Sequence, residues 1–233
     1  MPQTTAPRDA TTSTASGGAG ELASADRMQA LAEGHMLTNL LFISGSSQIG
    51  SVNWKLVAAT AALAKRGYGD DIAVTTVDLL DYDIPNRNGA VTDQAALPTG
   101  VVALRKVIAD SDGIFMSSDE YTGAYSTQLK NAVGWLTQTD GDKQSLFDGK
   151  PIGLCGASIR GVGALRGLPA LKQMLTELGA AVFSQHLEIG TSPNPFDSQG
   201  QLLAKVENQL LRGALGTLVA EARLMAAAKS KQK

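Results

Sequence analysis

One cysteine, Cys155, and two histidines, His35 and His186, are all that 233 residues contain of those types. That scarcity excludes an internal disulfide, a thiolate cluster and a histidine-based metal site, so no metal is expected. Aromatic residues make up only 5% of the chain, and no apolar run approaches the roughly eighteen residues that span a membrane. No apolar core follows a basic start, as a secretory leader requires. Neither charge dominates: 20 Lys and Arg stand against 22 Asp and Glu, giving a formal net charge of −2. Without a basic field the chain has no basis for binding nucleic acid or an anionic membrane. A cytoplasmic protein with small-molecule partners is the expectation.

What is present is 43% hydrophobic residues, enough for one core of the size of a single α/β domain. Residues 1–36 open with Thr, Ala, Ser and Gly and then carry a few spaced apolar residues, which predicts a disordered or loosely helical N-terminal extension. Met36, directly before the first strand, is a candidate for an alternative translation start. Residues 37–233 form the expected folded domain.

That domain is organised around Leu40 to Asn53, LLFISGSSQIGSVN. Leu40 to Ile43 lack polar alternation, as a strand buried on both faces does. After them comes a loop of Ser44, Ser46, Ser47, Ser51, Gly45 and Gly50, and then a helical pattern with Leu56, Ala59 and Leu63 on one face. Hydroxyls and the first unpaired N–H groups of a helix converge there, which suits a phosphate. An ordinary βα turn with a serine cap gives the same pattern. The dinucleotide spacing G-x-G-x-x-G and the Walker G-K-[ST] ending are both absent.

Further strands are expected at Ile72 to Val77, Gly113 to Ser117, Pro151 to Cys155 and from Ala181 to Phe183 or beyond. Helices are expected from Pro98 to Asp110, from Ser126 to Leu136, through Leu165, Leu168, Leu171, Leu175 and Leu178, and from Gln201 to Lys229. Gly179 would end the fourth helix in a left-handed cap. Strands alternating with helices predict an α/β doubly wound, five-stranded parallel sheet in the order 2-1-3-4-5, a three-layer sandwich. Its polar loops after strands one, three and four would meet at the carboxyl edge, where strand order reverses. Cys155, in an apolar run, reads as a buried strand thiol rather than a nucleophile. A serine hydrolase is disfavoured, because Gly156-Ala157-Ser158-Ile159-Arg160 lacks the second glycine of the nucleophile elbow.

Five segments in order resemble the NADPH-dependent FMN reductases, a flavodoxin-like family with quinone, chromate and azo reductase members. They are Gly45-Ser46 with Ser51-x-Asn53; Glu120-Tyr121 with Gly123, Leu129-Lys130-Asn131-Ala132 and Trp135; Gly149-Lys150-Pro151; Ser158 to Gly163; and Leu178-Gly179-Ala180 with Phe196-Asp197. The resemblance implies FMN as cofactor and NADPH or NADH as co-substrate. It places the phosphate on Ser46, Ser51, Val52 and Asn53, with Gln48 where the family usually has arginine. It lays the flavin ring along Glu120, Tyr121, Thr122 and Gly123, with Ser158, Gly161 and Gly163 on the other side. No catalytic side chain is implied, since the flavin carries the chemistry. Electrons would pass to a quinone-like, azo, metal-oxyanion or free-flavin acceptor, and the protein would be a homodimer or homotetramer. Asp119 replaces the family's usual proline and Thr122 its usual asparagine. With Gln48, these departures leave open a flavodoxin-like electron carrier or a binding module with weakened flavin affinity. Tyr82, Tyr125 and Trp135 are the aromatic candidates for shaping the acceptor's side of the ring.

Overall fold

The computed structural model describes residues 37–87, 97–137, 145–158, 164–183, 187–190, 195–198, 200–203 and 205–230. The N-terminal extension, Gly161 and Gly163 lie outside the described residues.

Strand β1, Thr38–Ser44, is an interior strand of the sheet. It pairs in parallel with β2, Ile72–Asp78, on one side and with β3, Gly113–Ser117, on the other. Two residues each, β4 (Glu120–Tyr121) and β5 (Ala124–Tyr125), form a separate antiparallel hairpin. Beyond β3 lies β6, Pro151–Ser158. Its outer edge pairs first with β7, Ala181–Val182, and then with β8, Leu187–Gly190. The order β2-β1-β3-β6-β7 is the expected 2-1-3-4-5, because the hairpin stands off the sheet.

Alternation along β1 explains the three layers. Leu41 and Ile43 face a core shared with α2 (Thr99–Asp110), α3 (Thr127–Leu136) and α4 (Gly167–Glu177). Leu40 and Phe42 face the other core, covered by α1 (Val52–Tyr68) and α5 (Lys205–Ser230). Phe42 meets Phe115 of β3 there, with ring centroids 5.9 Å apart. Each fully buried side chain of this size contributes about 1.5 to 3 kcal/mol. Helix α5 buries Leu211, Leu215, Leu218, Val219 and Ala222, so its apolar stripe is core. It lies so close that a Cβ on Gly113 would sit 2.9 Å from that of Ala222.

Three expectations need correction. Strand β6 continues three residues past Cys155, because the backbone of Cys155 to Ser158 is matched by β8. Helix α4 starts at Gly167, so Leu165, expected on its buried face, is left 51% exposed. Third, the stretch after β3 is no open loop but the β4–β5 hairpin. Gly179 does take the left-handed conformation, at φ 89°, just after α4.

Candidate active site

Serine 51 caps α1: its Oγ accepts the N–H of Trp54 at 3.0 Å and keeps its proton to donate. The next two N–H groups, of Val52 and Asn53, belong to the first turn and have no intrahelical acceptor. Ser46 is buried at the base of the β1–α1 loop, while Ser47, Gln48, Ile49 and Gly50 are exposed along its rim. The Gln48 side chain therefore stands at the mouth of the site.

The other loops are bolted to this one. Gly45 donates its N–H to Ser117 O at 2.8 Å, and its carbonyl accepts the Ser126 hydroxyl, the N-cap of α3. Ser118 donates its N–H to Cys155 O at 3.0 Å. The backbones approach closely: a Cβ on Gly45 would lie 3.2 Å from Ser117 O, and one on Gly156 only 2.6 Å from Ser118 O. The loops after β1 and β3 thus meet beside the end of β6 at the carboxyl edge of the sheet, the switch point where ligands bind in such sheets.

Asn53, expected at the phosphate, has its side chain committed elsewhere. Its Oδ1 accepts Ser117 Oγ–H at 2.8 Å and Ala157 N–H at 2.9 Å, and its Nδ2 donates to Ala157 O at 3.1 Å. It pins α1 to β3 and β6, and only its backbone N–H faces the helix start. Ser158 ends β6.

In the second loop, Thr122 and Gly123 take positive φ, 52° and 79°, the geometry of a type I′ hairpin turn. A β-branched residue there is strained; asparagine accepts it far better. Glu120 sits beneath the turn. Its carboxylate accepts the N–H of Arg166 at 2.9 Å, of Gly167 at 3.3 Å, and the Arg166 guanidinium at Nε (2.7 Å) and Nη2. Burial opposes the charge, but these bonds outweigh it and hold the carboxyl below its ordinary value. Glu120 and Tyr121 therefore offer any ligand their backbone and the 64%-exposed Tyr121 ring. Arg166, to which nothing in the sequence pointed, is the brace of this loop.

Two of the signature segments prove structural. Asn131 and Trp135 hold the 82–87 segment: Trp135 Nε1–H donates to Pro85 O at 2.7 Å, Asn131 Nδ2 donates to the same oxygen at 3.0 Å, and Asn131 Oδ1 accepts Arg87 N–H at 2.8 Å. Trp135 is thus a buried anchor and does not shape the acceptor face, and Tyr125 directs its hydroxyl to Met174 Sδ at 3.0 Å. Lys150 lies at the opposite end of the sheet, its Nζ donating to Ile108 O and to Ser111 O (2.8 Å) beyond the end of α2. Cys155 is fully buried, which pushes its thiol up to about 12, so it is no nucleophile.

The open N–H groups of Val52 and Asn53 and the hydroxyl of Ser51 fit the phosphate of a flavin mononucleotide; only the Asp119 carboxylate, beside Ser46, is foreign to an anion site. Fold and site together define a flavodoxin-like flavin-binding protein. Residues 38–193, more than half of the chain, match the model of the NADPH-dependent FMN reductases, and the chain belongs to that family. It is 27% identical over 181 residues to the NAD(P)H-dependent FMN reductase of Pseudomonas aeruginosa, covering 77% of this chain and 92% of that protein. The 2-hydroxy-1,4-benzoquinone reductase of a Burkholderia species is 25% identical over 181 residues, covering 76% and 92%. Among solved structures, FerB, a flavoenzyme NAD(P)H:(acceptor) oxidoreductase from Paracoccus denitrificans, shares the fold with a TM-score of 0.67 at 23% identity, covering 81% of this chain and all but 1% of that one, as its 99% coverage states. The protein is an oxidoreductase of the FMN- and NAD(P)H-dependent kind. No helix among the described residues is long and apolar enough to cross a membrane.

Proposed function

We propose that the FMN phosphate rests at the start of α1 and that the reduced cofactor serves a small planar acceptor of the quinone class. The phosphate would take the N–H groups of Val52 and Asn53 and the hydroxyls of Ser46 and Ser51, with Gln48 at the rim. The ring would lie along the backbone of Glu120 to Gly123, with Ser158, Gly161 and Gly163 opposite. Bound FMN accepts hydride from NAD(P)H and passes electrons on; the protein supplies position and electrostatics. The residues of this chain do three things towards that. The α1 terminus neutralises the phosphate, the strained hairpin holds a stiff backbone edge, and the Glu120–Arg166 brace keeps that edge in place.

The observation that carries this reading is the meeting of the loops after β1 and β3, through Gly45 with Ser126 and Ser46 with Asp119, beside the end of β6 to which Asn53 ties α1 through Ala157. The quinone class is supported by the relative named for a benzoquinone and by relatives named quinone reductase. NADPH and NADH oxidation with FMN, compared across 1,4-benzoquinone, an azo dye and chromate, tests it. The fastest turnover is expected with the quinone. Flavin binding without turnover on any acceptor would favour an electron carrier. Gln48→Arg should tighten FMN about tenfold, since a charge-assisted bond to phosphate is worth about 1.5 kcal/mol or more; unchanged affinity in a fluorescence titration would show that another group already serves.

A cytoplasmic location and a homodimer or homotetramer complete the proposal. The exposed Ile49, Tyr121 and Leu165 support an assembly that covers the surface carrying the flavin site. Light scattering that returned only monomer mass would remove it.

A further inference from the structure

One group in this crevice works against an anion. Asp119 lies two residues past the end of β3, and its Oδ2 accepts the Ser46 hydroxyl at 3.0 Å. The same Ser46 Oγ accepts the Gln48 N–H at 3.2 Å, so the loop's donors are chained onto the carboxylate. The other oxygen of the carboxylate, Oδ1, is buried with no hydrogen-bond partner. Among the described residues no cation pairs with Asp119, and Arg166 is held by Glu120. An internal carboxylate thus stands where the loop would meet an external phosphate. Burial raises its pKa above the ordinary value despite the Ser46 and backbone bonds, the mark of a charge held at a cost.

We propose that Asp119 determines cofactor selectivity: its carboxylate occupies the Ser46 hydroxyl as an internal anion, so a phosphorylated flavin enters only by displacing or facing it. The wild-type site then discriminates weakly between FMN and its dephosphorylated form, riboflavin. This rests on the reading of the crevice as the FMN site. Removing the charge frees the donors for the phosphate and leaves the ring's contacts as they were.

The test is the dissociation constant of FMN and of riboflavin, by quenching of flavin fluorescence, for the wild type, Asp119→Asn and Asp119→Ala. Asn keeps the size and loses the charge; Ala removes the acceptor as well. Both variants should bind FMN at least about tenfold more tightly, the scale of a like-charge pair at contact in a partly buried site, and riboflavin within twofold of the wild type. Equal FMN affinity in all three proteins would overturn the proposal while leaving the site in place. A parallel change for both flavins would overturn it too, by moving the effect to the ring or the loop's shape. If neither flavin is quenched by any of the three proteins, the cofactor reading falls and the proposal with it.

Discussion

The loop after β1 and the loop after β3 face the same crevice and are built on opposite plans. Where the first enters α1 it is local: Ser51 caps its own helix three residues on, and the donors left over there are backbone groups that every helix start possesses. The second is held from a distance. Glu120 reaches Arg166 and Gly167, 46 and 47 residues away, and Asp119 reaches Ser46, 73 residues back. A binding surface can therefore be made by leaving groups unpaired, as in the first loop, or by committing side chains so that the backbone stays rigid, as in the second. The difference decides which substitutions strike the ligand and which strike the fold.

Asn53→Ala should break the comparison most severely, because it removes the one side chain through which the local loop is tied to β3 and β6. Ala157 N–H, Ala157 O and the Ser117 hydroxyl would lose their buried partner, at a cost of about 3 kcal/mol in urea unfolding. A loss under about 1 kcal/mol would mean that water takes over its bonds. Glu120→Gln should cost less, about 1 kcal/mol, since the Arg166 side chain is largely exposed. Its sign with pH is fixed by a carboxyl held below its ordinary value: the wild-type advantage is complete above the unfolded value near 4.5 and fades as pH falls through the lower folded value. An advantage that grew on acidification would contradict the brace. Thr122→Asn is the smallest change and runs the other way. It should stabilise by about 1 kcal/mol, by relieving a β-branched residue at φ 52°, and raise the melting temperature. A lower melting temperature would show that the threonine is supported by contacts worth more than its strain.

The same contrast explains how much could be read in advance. Strand order, most helix faces and the capping serine follow from periodicity and short-range chemistry, so the strand, turn and helix start of Leu40 to Asn53 were legible at once. The hairpin was not, because Tyr121-Thr122-Gly123-Ala124 has one glycine where two positive φ values are required. Nor could spacing show that Asn53 turns its side chain inward or that Arg166 would serve Glu120, since both partnerships exist only after the sheet has assembled. Lys150 and Trp135 teach a related point. Each stands in a segment that resembles a functional family, and each holds backbone carbonyls away from the crevice.

The account stands most directly on where FMN settles, and a crystal structure of the FMN-loaded protein reads that in one step. The phosphate is predicted within hydrogen-bond reach of the Val52 and Asn53 N–H groups, with the ring along residues 120–123. A phosphate found instead in the groove of about 470 Å³ on the outer flank of α1, lined by Trp54, Lys55, Arg66 and Phe196, would contradict it.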